Sequence, residues 1–156
     1  MITAPTITTE NDITLITLQN CPSELTFIAD VFHKIADFGV DVDMISLAPT
    51  HAAYTSISFT INDSDLGKIL AFTSELHEKF KIKTIVSSGN CKISVYDQGM
   101  KNSPGVAAGV FSAASAANTD IRIITTSEVD ISLLVTAADF NETLQAIESS
   151  FRSGVC

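Results

Sequence analysis

The segment LTFIADVF, residues 25–32, sets the plan of this chain, because its pattern returns as PGVAAGVF at residues 104–111. The correspondence continues downstream, where GVDVDMIS (39–46) matches NTDIRIIT (118–125) at the same distance from the shared phenylalanine. Such self-similarity is typical of a chain that contains two copies of one structural unit. The sequence therefore predicts two copies of one unit.

Hydrophobic periodicity gives the elements of the first copy. The predicted strands span residues 13–17, 40–46, 55–61 and 82–88. Apolar residues spaced three and four apart predict one helix between the first and second strands and another before the last strand. The first has Leu25, Ile28, Phe32 and Ile35 on one face. We expect Ser23 to cap the first helix, Gly39 to end it, and Asp63 or Ser64 to cap the second. The order is βαββαβ, which is that of a ferredoxin-like unit.

The second copy has the same order but lacks its last strand. Its predicted strands span 91–97, 120–126 and 129–136, and its helices span 104–117 and the residues from 139 onward. The remaining residues, RSGVC, are too short and polar for a core strand, whereas ITAPTITT (2–9) is a surplus β segment at the other end of the chain. We expect this N-terminal strand to complete the second unit. The fold class is then α+β, with one unit at 11–88 and the other at 1–10 plus 89–156.

Composition excludes several classes of function. The formal net charge is −9 and no cluster of lysine or arginine is present, so we expect neither nucleic acid nor a membrane surface as a partner. No apolar run approaches the roughly 18 residues that cross a membrane, and the first residues lack the features of a signal peptide. Cys21, Cys91 and Cys156 lie far apart without a CxxC motif, which favours a reducing compartment. We expect a cytoplasmic protein.

The sequence contains no arrangement of residues that indicates catalysis. The three histidines are scattered without the spacing of metal ligands, and no GxxxxGK phosphate loop is present. We therefore expect no cofactor and no metal.

Four segments resemble a known family. The segments are MKNSPGVAAGVFSAA (100–114), IRIITTSEVDIS (121–132), VDVDMIS (40–46) and TSISFTI (55–61). Together they resemble the paired ACT domains at the C-terminus of aspartokinases, over residues 12–151. The resemblance implies two ferredoxin-like ACT units, the second completed by the N-terminal strand. It also implies regulation rather than catalysis, because the chain has no segment like the kinase domain and would be a regulatory fragment or a separate regulatory subunit.

The resemblance implies a ligand and two protein partners. ACT units of aspartokinases bind an end-product amino acid, lysine or threonine, between paired units of a homodimer, and binding inhibits the aspartokinase catalytic domain. A free amino acid needs an anion-binding feature and an acidic group close together. Helix N-termini supply the first, because their early N–H groups have no partner within the helix.

Two helix starts are candidates for the ligand carboxylate. Pro104, which we expect at the first helical position, and Gly105 begin a helix whose first turn carries no acidic residue. The alternative is that Pro-Gly simply begins a closely packed helix. The resemblance favours the matching helix start of the first unit, near Ser23 to Phe27.

The resemblance also indicates where the rest of the ligand binds. Asp43 is the candidate partner of the ligand ammonium, although a carboxylate beside a strand is more often only solvated. Asn118 is a candidate to hydrogen-bond the ligand from the partner unit, with a helix C-cap as its alternative role. The full set of candidate ligand-binding residues is Ser23, Glu24, Thr26, Phe27, Ile28, Val42, Asp43, Leu47, Asn118, Ile121 and Ser127.

Two departures from the family pattern leave alternatives open. Leu25-Thr26 stands where the family usually has Pro-Gly, and Leu47 stands where a glutamine is common. Both changes remove features that favour ligand binding. A free-standing ACT sensor and a dimerisation module without a ligand are therefore the alternatives to an aspartokinase regulatory domain.

Overall fold

The computed structural model describes residues 5–152. The chain divides into two compact units, which we call the inserted unit (residues 12–89) and the terminal unit (residues 1–11 and 90–156). The strands are β1 Thr6–Pro22, β2 Ile45–Leu47, β3 Tyr54–Asn62, β4 Lys83–Tyr96, β5 Ile121–Thr126 and β6 Asp130–Thr136. The α-helices are α1 Leu25–Asp37, α2 Leu66–Phe80, α3 Val106–Ala116 and α4 Phe140–Arg152. Within residues 5–152 none of the helices has the length and apolar character needed to cross a membrane.

The inserted unit has the strand order β2-β3-β1-β4, with α1 and α2 as its helices. Strand β3 pairs antiparallel with both β1 and β2, so that Phe59 stands opposite Ile16 on one side and Ile45 on the other. Because β3 alternates, its inward side chains join the apolar faces of the helices in one core. The fully buried members of this core include Ile16, Leu18, Ile35, Ile57, Phe59, Ile69 and Ile82.

The terminal unit has the strand order β1-β4-β6-β5, with α3 and α4 as its helices. Its part of β1 begins at Thr6, and Ile7 packs against the core of this unit. The N-terminal strand therefore completes the second unit, as the surplus strand in the sequence predicted. The fully buried core residues are Ile93, Val95, Val110, Leu133, Val135 and Ile147. Both units have the ferredoxin-like order, which confirms the predicted fold class.

Strands β1 and β4 are each longer than predicted. Residues 2–4 of the strand expected at 2–9 lie outside the described residues, and from Thr6 onward it forms one strand with the strand expected at 13–17. The strands expected at 82–88 and 91–97 form one strand from Lys83 to Tyr96. Asp12 and Gly89 lie within these strands with positive φ values of 57° and 71°. Polar residues and glycine with positive φ are typical of turns, so the sequence pattern predicted two strands on either side of each position. In the structure each strand continues through that position.

Several predicted helix boundaries were wrong by one or two residues. The N-cap of α1 is Glu24 and not Ser23, and α2 begins after Asp65, because residues 63–65 form a 3₁₀ turn first. Pro104 is not at the first helical position: Gly105 is the N-cap of α3, with φ +100°, and the helix begins at Val106. The prediction for the end of α1 is confirmed, since Gly39 follows the C-cap Phe38 with φ +75°.

Candidate functional site

The start of α1 is held against the sheet by its backbone. The N–H of Ser23 donates to the carbonyl of Ala53 at 2.9 Å, next to the place where Pro22 pairs with Tyr54 of β3. Ser23 is half-buried, whereas Glu24, Leu25 and Thr26 are exposed. The helix start therefore lies at the end of the sheet where β1 ends and β3 begins.

The first turn of α1 has neither an acidic residue nor a side-chain cap. Glu24 is extended (φ −62°, ψ 127°) and its side chain makes no capping hydrogen bond, and the first turn carries no acidic residue. Phe27 and Ile28 are half-buried and pack against the core, with the Phe27 ring 4.8 Å from the ring of Phe80. The early N–H groups of α1 thus lack a side-chain cap from Glu24 while the helix itself is firmly anchored.

Asp43 lies just before β2, and three hydrogen bonds to Thr60 hold Asp43 and the following Met44 in place. The N–H of Asp43 donates to the carbonyl of Thr60 at 3.1 Å, and the N–H of Met44 donates to the Thr60 hydroxyl at 2.9 Å. In return the N–H of Thr60 donates to the Met44 carbonyl at 3.0 Å. The Asp43 side chain is exposed, whereas Val42 is half-buried against the core. Residues 40–44 were expected to be part of the strand, but the regular ladder begins only at Ile45 because Thr60 bonds this segment irregularly.

Asp43 and the start of α1 lie at opposite ends of β3 within one copy. Asp43 is bonded to Thr60, and the helix start lies beside Tyr54, six residues away along the strand. At a rise of about 3.3 Å per residue this separation is about 20 Å. The ammonium and the carboxylate of a free amino acid share one carbon atom. One copy of the chain therefore cannot bind the ammonium at Asp43 and the carboxylate at the start of α1 at the same time.

Leu47 lies nearer to the helix start. It is the last residue of β2, pairs with Ile57, and is 55% exposed. The N–H of the following Ala48 donates to the Ser56 carbonyl at 2.9 Å, two residues from Tyr54. The structure thus brings Leu47 and the helix start to the same end of the sheet, and leaves Asp43 at the other.

The three candidate residues of the terminal unit surround β5. Asn118 follows the end of α3 with φ +53°, and its N–H donates to the Ser115 carbonyl at 3.0 Å, which is the geometry of a helix-ending residue. Ile121 is half-buried and opens β5 opposite Val135. Ser127 forms the turn after β5, where its N–H donates to the Asp130 carbonyl at 2.9 Å and its hydroxyl accepts from the N–H of Val129 at 3.3 Å.

Two features of these surroundings were missed from the sequence. Thr60 is 1% exposed and forms the hydrogen bonds that hold the segment of Asp43. It lies between Phe59 and Ile61 in β3, where the alternating pattern predicts a side chain that faces solvent. Lys101 forms an ion pair of 3.1 Å with Glu128, which joins the segment before α3 to the turn after β5. No local sequence signal predicts either contact, because the partners are far apart in the chain.

The buried Cys21 stands two residues before Ser23 and does not have the properties of a reactive thiol. Burial raises the pKa of the Cys21 thiol, so that its thiolate is disfavoured. The segment from the end of β1 to α1 therefore provides backbone donors and shape rather than a nucleophile.

Comparison with known proteins connects this geometry to a family. Residues 93–151 match the family model of the ACT domain. The chain is 29% identical over 143 residues to an aspartokinase of Bacillus sp. (strain MGA3), a match that covers 91% of this chain and 35% of the relative. The regulatory subunit of aspartate kinase from Thermus flavus superposes with a TM-score of 0.85 at 26% identity, over 96% of this chain and 98% of that one. Residues 93–151 thus match the ACT domain, and the chain as a whole is similar to a solved regulatory subunit of aspartate kinase.

The extent of the matches shows how much of the known aspartokinases this chain resembles. Aspartate kinase from Synechocystis superposes with a TM-score of 0.88 at 26% identity, over 97% of this chain but 27% of that chain. The chain thus spans about a third of the length of the curated relatives it matches and nearly the whole of a solved regulatory subunit. It therefore matches a regulatory subunit nearly from end to end, and only a part of the longer aspartokinases.

Proposed function

We propose that this chain is an amino-acid-binding allosteric regulatory domain of an aspartokinase. It senses lysine, or alternatively threonine, and its response inhibits the associated catalytic domain in the cytoplasm. The two ACT domains are residues 11–88 and residues 1–10 with 89–156. This proposal combines the relation to aspartokinases with the family's use of end-product amino acids as inhibitors.

The observation that carries the proposal is the distance of about 20 Å between Asp43 and the start of α1. If Asp43 binds the ligand ammonium next to a helix end, that helix end belongs to a second copy. Within residues 5–152, β2 has β3 as its one hydrogen-bonded neighbour, which leaves its other edge open to pairing. The proposed site therefore lies between two copies of the chain.

Antiparallel pairing of β2 with β2 of the second copy satisfies this requirement. A two-fold axis at β2 brings the beginning of one strand next to the end of the other. The second copy's Asp43 then stands beside Leu47 and the first turn of α1. The ligand carboxylate binds the backbone N–H groups of Thr26 and Phe27, because the N–H of Ile28 already donates to the Glu24 carbonyl at 3.1 Å. The ligand ammonium binds the second copy's Asp43. Ser23, Glu24 and Val42 line the same region.

The second possible partner edge is β5, which has β6 as its hydrogen-bonded neighbour within the described residues. If β5 of the second copy pairs with β2, Asn118 and Ile121 approach the start of α1, and Ser127 approaches Asp43. In this arrangement the Asn118 side-chain amide, and not Asp43, binds the ligand ammonium. The β2–β2 arrangement is preferred, because it supplies a full negative charge for the ligand ammonium.

Thermal unfolding in the presence of lysine, threonine, methionine or aspartate tests the proposal. A ligand that binds only the folded state at about 100 times its Kd adds about 2.7 kcal/mol, or about 5–11 °C in Tm for a chain of this length. We expect lysine or threonine to give such a rise. Methionine and aspartate serve as controls for a general solute effect.

Matched variants locate the site and distinguish the two arrangements. Asp43→Asn should abolish the rise, while Asp41→Asn removes another exposed carboxylate two residues away and should preserve it. Asn118→Gly keeps a residue that tolerates positive φ and removes the amide, so it should matter only in the β2–β5 arrangement. An equal rise in the wild type and Asp43→Asn would contradict the proposed ammonium partner, and a dimer without any rise would contradict the sensor.

A dimerisation module without a ligand is the second candidate function. It is favoured by the exposed leucines at the proposed site, since Leu25 is 77% and Leu47 is 55% exposed where the family usually has Pro-Gly and glutamine. Apolar side chains at an open edge favour protein contact over a polar ligand. A Leu47→Gln variant tests this reading: gain of an amino-acid response absent from the wild type would support the module.

A further inference from the structure

An acidic and a basic side chain line one cavity at the C-terminal end of α2. The cavity has a volume of about 450 Å³ and lies between the last turns of α2 and the first residues of β4. Its lining includes Ser74, His77 and Glu78 from the helix and Lys83 and Thr84 from the strand. All of these residues belong to the inserted unit, so this site needs no second copy. We call it the α2–β4 cavity.

The turn that ends α2 brings the two sides of the cavity together. The C-cap Lys81 has φ 61°, and its N–H donates to the His77 carbonyl at 3.0 Å. The next residue, Ile82, has no exposed surface and anchors the chain in the core before β4 begins at Lys83. Nδ1 of His77 lies 3.2 Å from the Ile82 carbonyl oxygen. Because a carbonyl only accepts hydrogen bonds, Nδ1 carries the proton, and Nε2 is the acceptor of the neutral ring.

The two charges of the α2–β4 cavity have no charged partner. Elsewhere on α2, Glu75 forms an ion pair of 2.5 Å with Lys79. Within residues 5–152 the side chains of Glu78 and Lys83 form neither an ion pair nor a hydrogen bond, with each other or with other residues. The carboxylate and the ammonium are therefore separated by more than the ion-pair distance of about 4 Å. A molecule that itself carries both charges can pair with each of them.

Thr84 adds a hydroxyl group that needs a partner. Its oxygen is buried and makes no hydrogen bond within the described part of the chain. Such a group costs free energy until a partner is supplied, and rotation about the Cα–Cβ bond can turn a threonine hydroxyl toward one. Thr84 therefore favours occupation of the cavity by a polar molecule.

We infer that the α2–β4 cavity binds a free amino acid with an amide side chain, of the size of glutamine. The ligand ammonium binds Glu78, where the last carbonyl groups of α2 add a partial negative charge. The ligand carboxylate binds Lys83 and accepts from the Thr84 hydroxyl. The charges of the cavity thus match those of a zwitterion, and they lie within one copy of the chain.

The side-chain amide of the ligand fits the remaining polar groups. Ser74 and His77 are three residues apart on α2 and therefore lie on one face of the helix. An amide N–H donates to His77 Nε2, and the amide carbonyl accepts from the Ser74 hydroxyl. Lysine and threonine have no amide carbonyl and should bind here about tenfold more weakly or less, a difference of about 1.4 kcal/mol. This site is therefore distinct from the proposed site for lysine or threonine between two copies.

Isothermal titration calorimetry of the complete chain with glutamine tests the inference. We expect one glutamine per chain, and we expect Glu78→Gln and Lys83→Met each to weaken binding about tenfold or more. Glu75→Gln and Lys81→Met are the matched controls, because they remove neighbouring charges that do not line the cavity and should leave the affinity unchanged. The absence of glutamine binding, or an equal affinity of Glu78→Gln and Glu75→Gln, would overturn the inference.

Thr84→Val gives a measurement that a merely structural role would not produce. Valine keeps the shape of threonine and removes the unpartnered hydroxyl. The variant should therefore unfold at an equal or higher temperature without ligand, and yet bind glutamine more weakly. A lower unfolding temperature without ligand would show that the hydroxyl already has a partner, and an unchanged glutamine affinity would show that it does not contact the ligand. Either result would contradict the site.

Failure of this inference is distinguishable from failure of the site between two copies. Asp43→Asn should leave glutamine binding unchanged, and Glu78→Gln should leave any response to lysine or threonine unchanged. Loss of glutamine binding in Asp43→Asn would refute the α2–β4 site without affecting the proposed function.

Discussion

Replacing Thr14 with valine tests how the inserted unit is held together at the start of α2. Thr14 is fully buried on β1, and its hydroxyl donates to Asp63 Oδ1 at 2.6 Å. The same hydroxyl oxygen lies 2.9 Å from the Ser88 hydroxyl oxygen. The Asp63 carboxylate also accepts from the N–H of Gly89, at 3.2 Å to each oxygen. One carboxylate therefore ties β1, β4 and the turn before α2 together.

The magnitude follows from the charge of the acceptor. A hydrogen bond to a charged group contributes about 1.5–3 kcal/mol, whereas one between neutral groups contributes about 0.5–1.5 kcal/mol. Thr14→Val removes a donor from a carboxylate and should lower the free energy of unfolding by about 1.5–3 kcal/mol. At about 2–4 °C per kcal/mol for a chain of this size, the Tm should fall by about 3–12 °C.

Thr17→Val is the matched control on the same strand. The Thr17 hydroxyl lies 3.0 Å from the Ser58 hydroxyl, so this substitution removes a bond between neutral groups and should cost less. Urea unfolding followed by circular dichroism measures both variants under the same conditions. If Thr14→Val costs no more than Thr17→Val, the reasoning that assigns the larger effect to the Asp63 carboxylate is refuted.

Three further predictions concern the two units separately. Deletion of residues 1–9 should cause aggregation, because it removes Ile7 from the terminal core and exposes a sheet edge; light scattering checks this, and a soluble, equally stable truncated chain would contradict it. Gly105→Ala should destabilise by about 1–2 kcal/mol because φ is +100° despite open space for a Cβ, whereas Gly67→Ala, in α2 without a positive φ and with equal space, should stabilise by about 0.5–1 kcal/mol in thermal unfolding. Burial raises the pKa of the Cys21 thiol above its ordinary value, so the thiol ionises first in the unfolded chain. The contribution of Cys21 to the free energy of unfolding should be constant at pH values below the ordinary thiol pKa, and the free energy should fall as the pH rises through it. A Cys21→Ala variant should show a smaller fall in urea unfolding at alkaline pH, and an identical fall would exclude Cys21 as its source.

The repeated units and most of their elements were predictable, because local patterns encode them. Alternation at Ile57, Phe59 and Ile61 identified β3, and the spacing of Phe140, Leu144, Ile147 and Phe151 identified α4, whose residues all pack in the terminal core. Boundaries were less predictable. Glu24 rather than Ser23 caps α1, and Gly105 rather than Pro104 precedes α3, because the preferences of neighbouring residues differ by less than tertiary contacts contribute.

The candidate site was predicted only as a set of residues. The sequence grouped Asp43 with the start of α1 because a free amino acid needs both an acid and an anion-binding helix end. The structure separates them within one copy, since the two segments bond to opposite ends of β3. The side-chain roles of these residues therefore remain proposals, and the Asp43→Asn and Asp41→Asn pair is the direct test.

By itself the sequence determined the repeat, the ferredoxin-like order of each unit and the surplus N-terminal strand, because these depend on periodicity and on the count of strands. Only the tertiary structure decided that Thr60 anchors the segment of Asp43, that Asp63 joins β1 to β4, and that β4 pairs with β6 from Asn90 onward. These features depend on pairing between residues far apart in the chain. Local composition carries no record of such pairing, because each strand can satisfy its own pattern beside more than one neighbour.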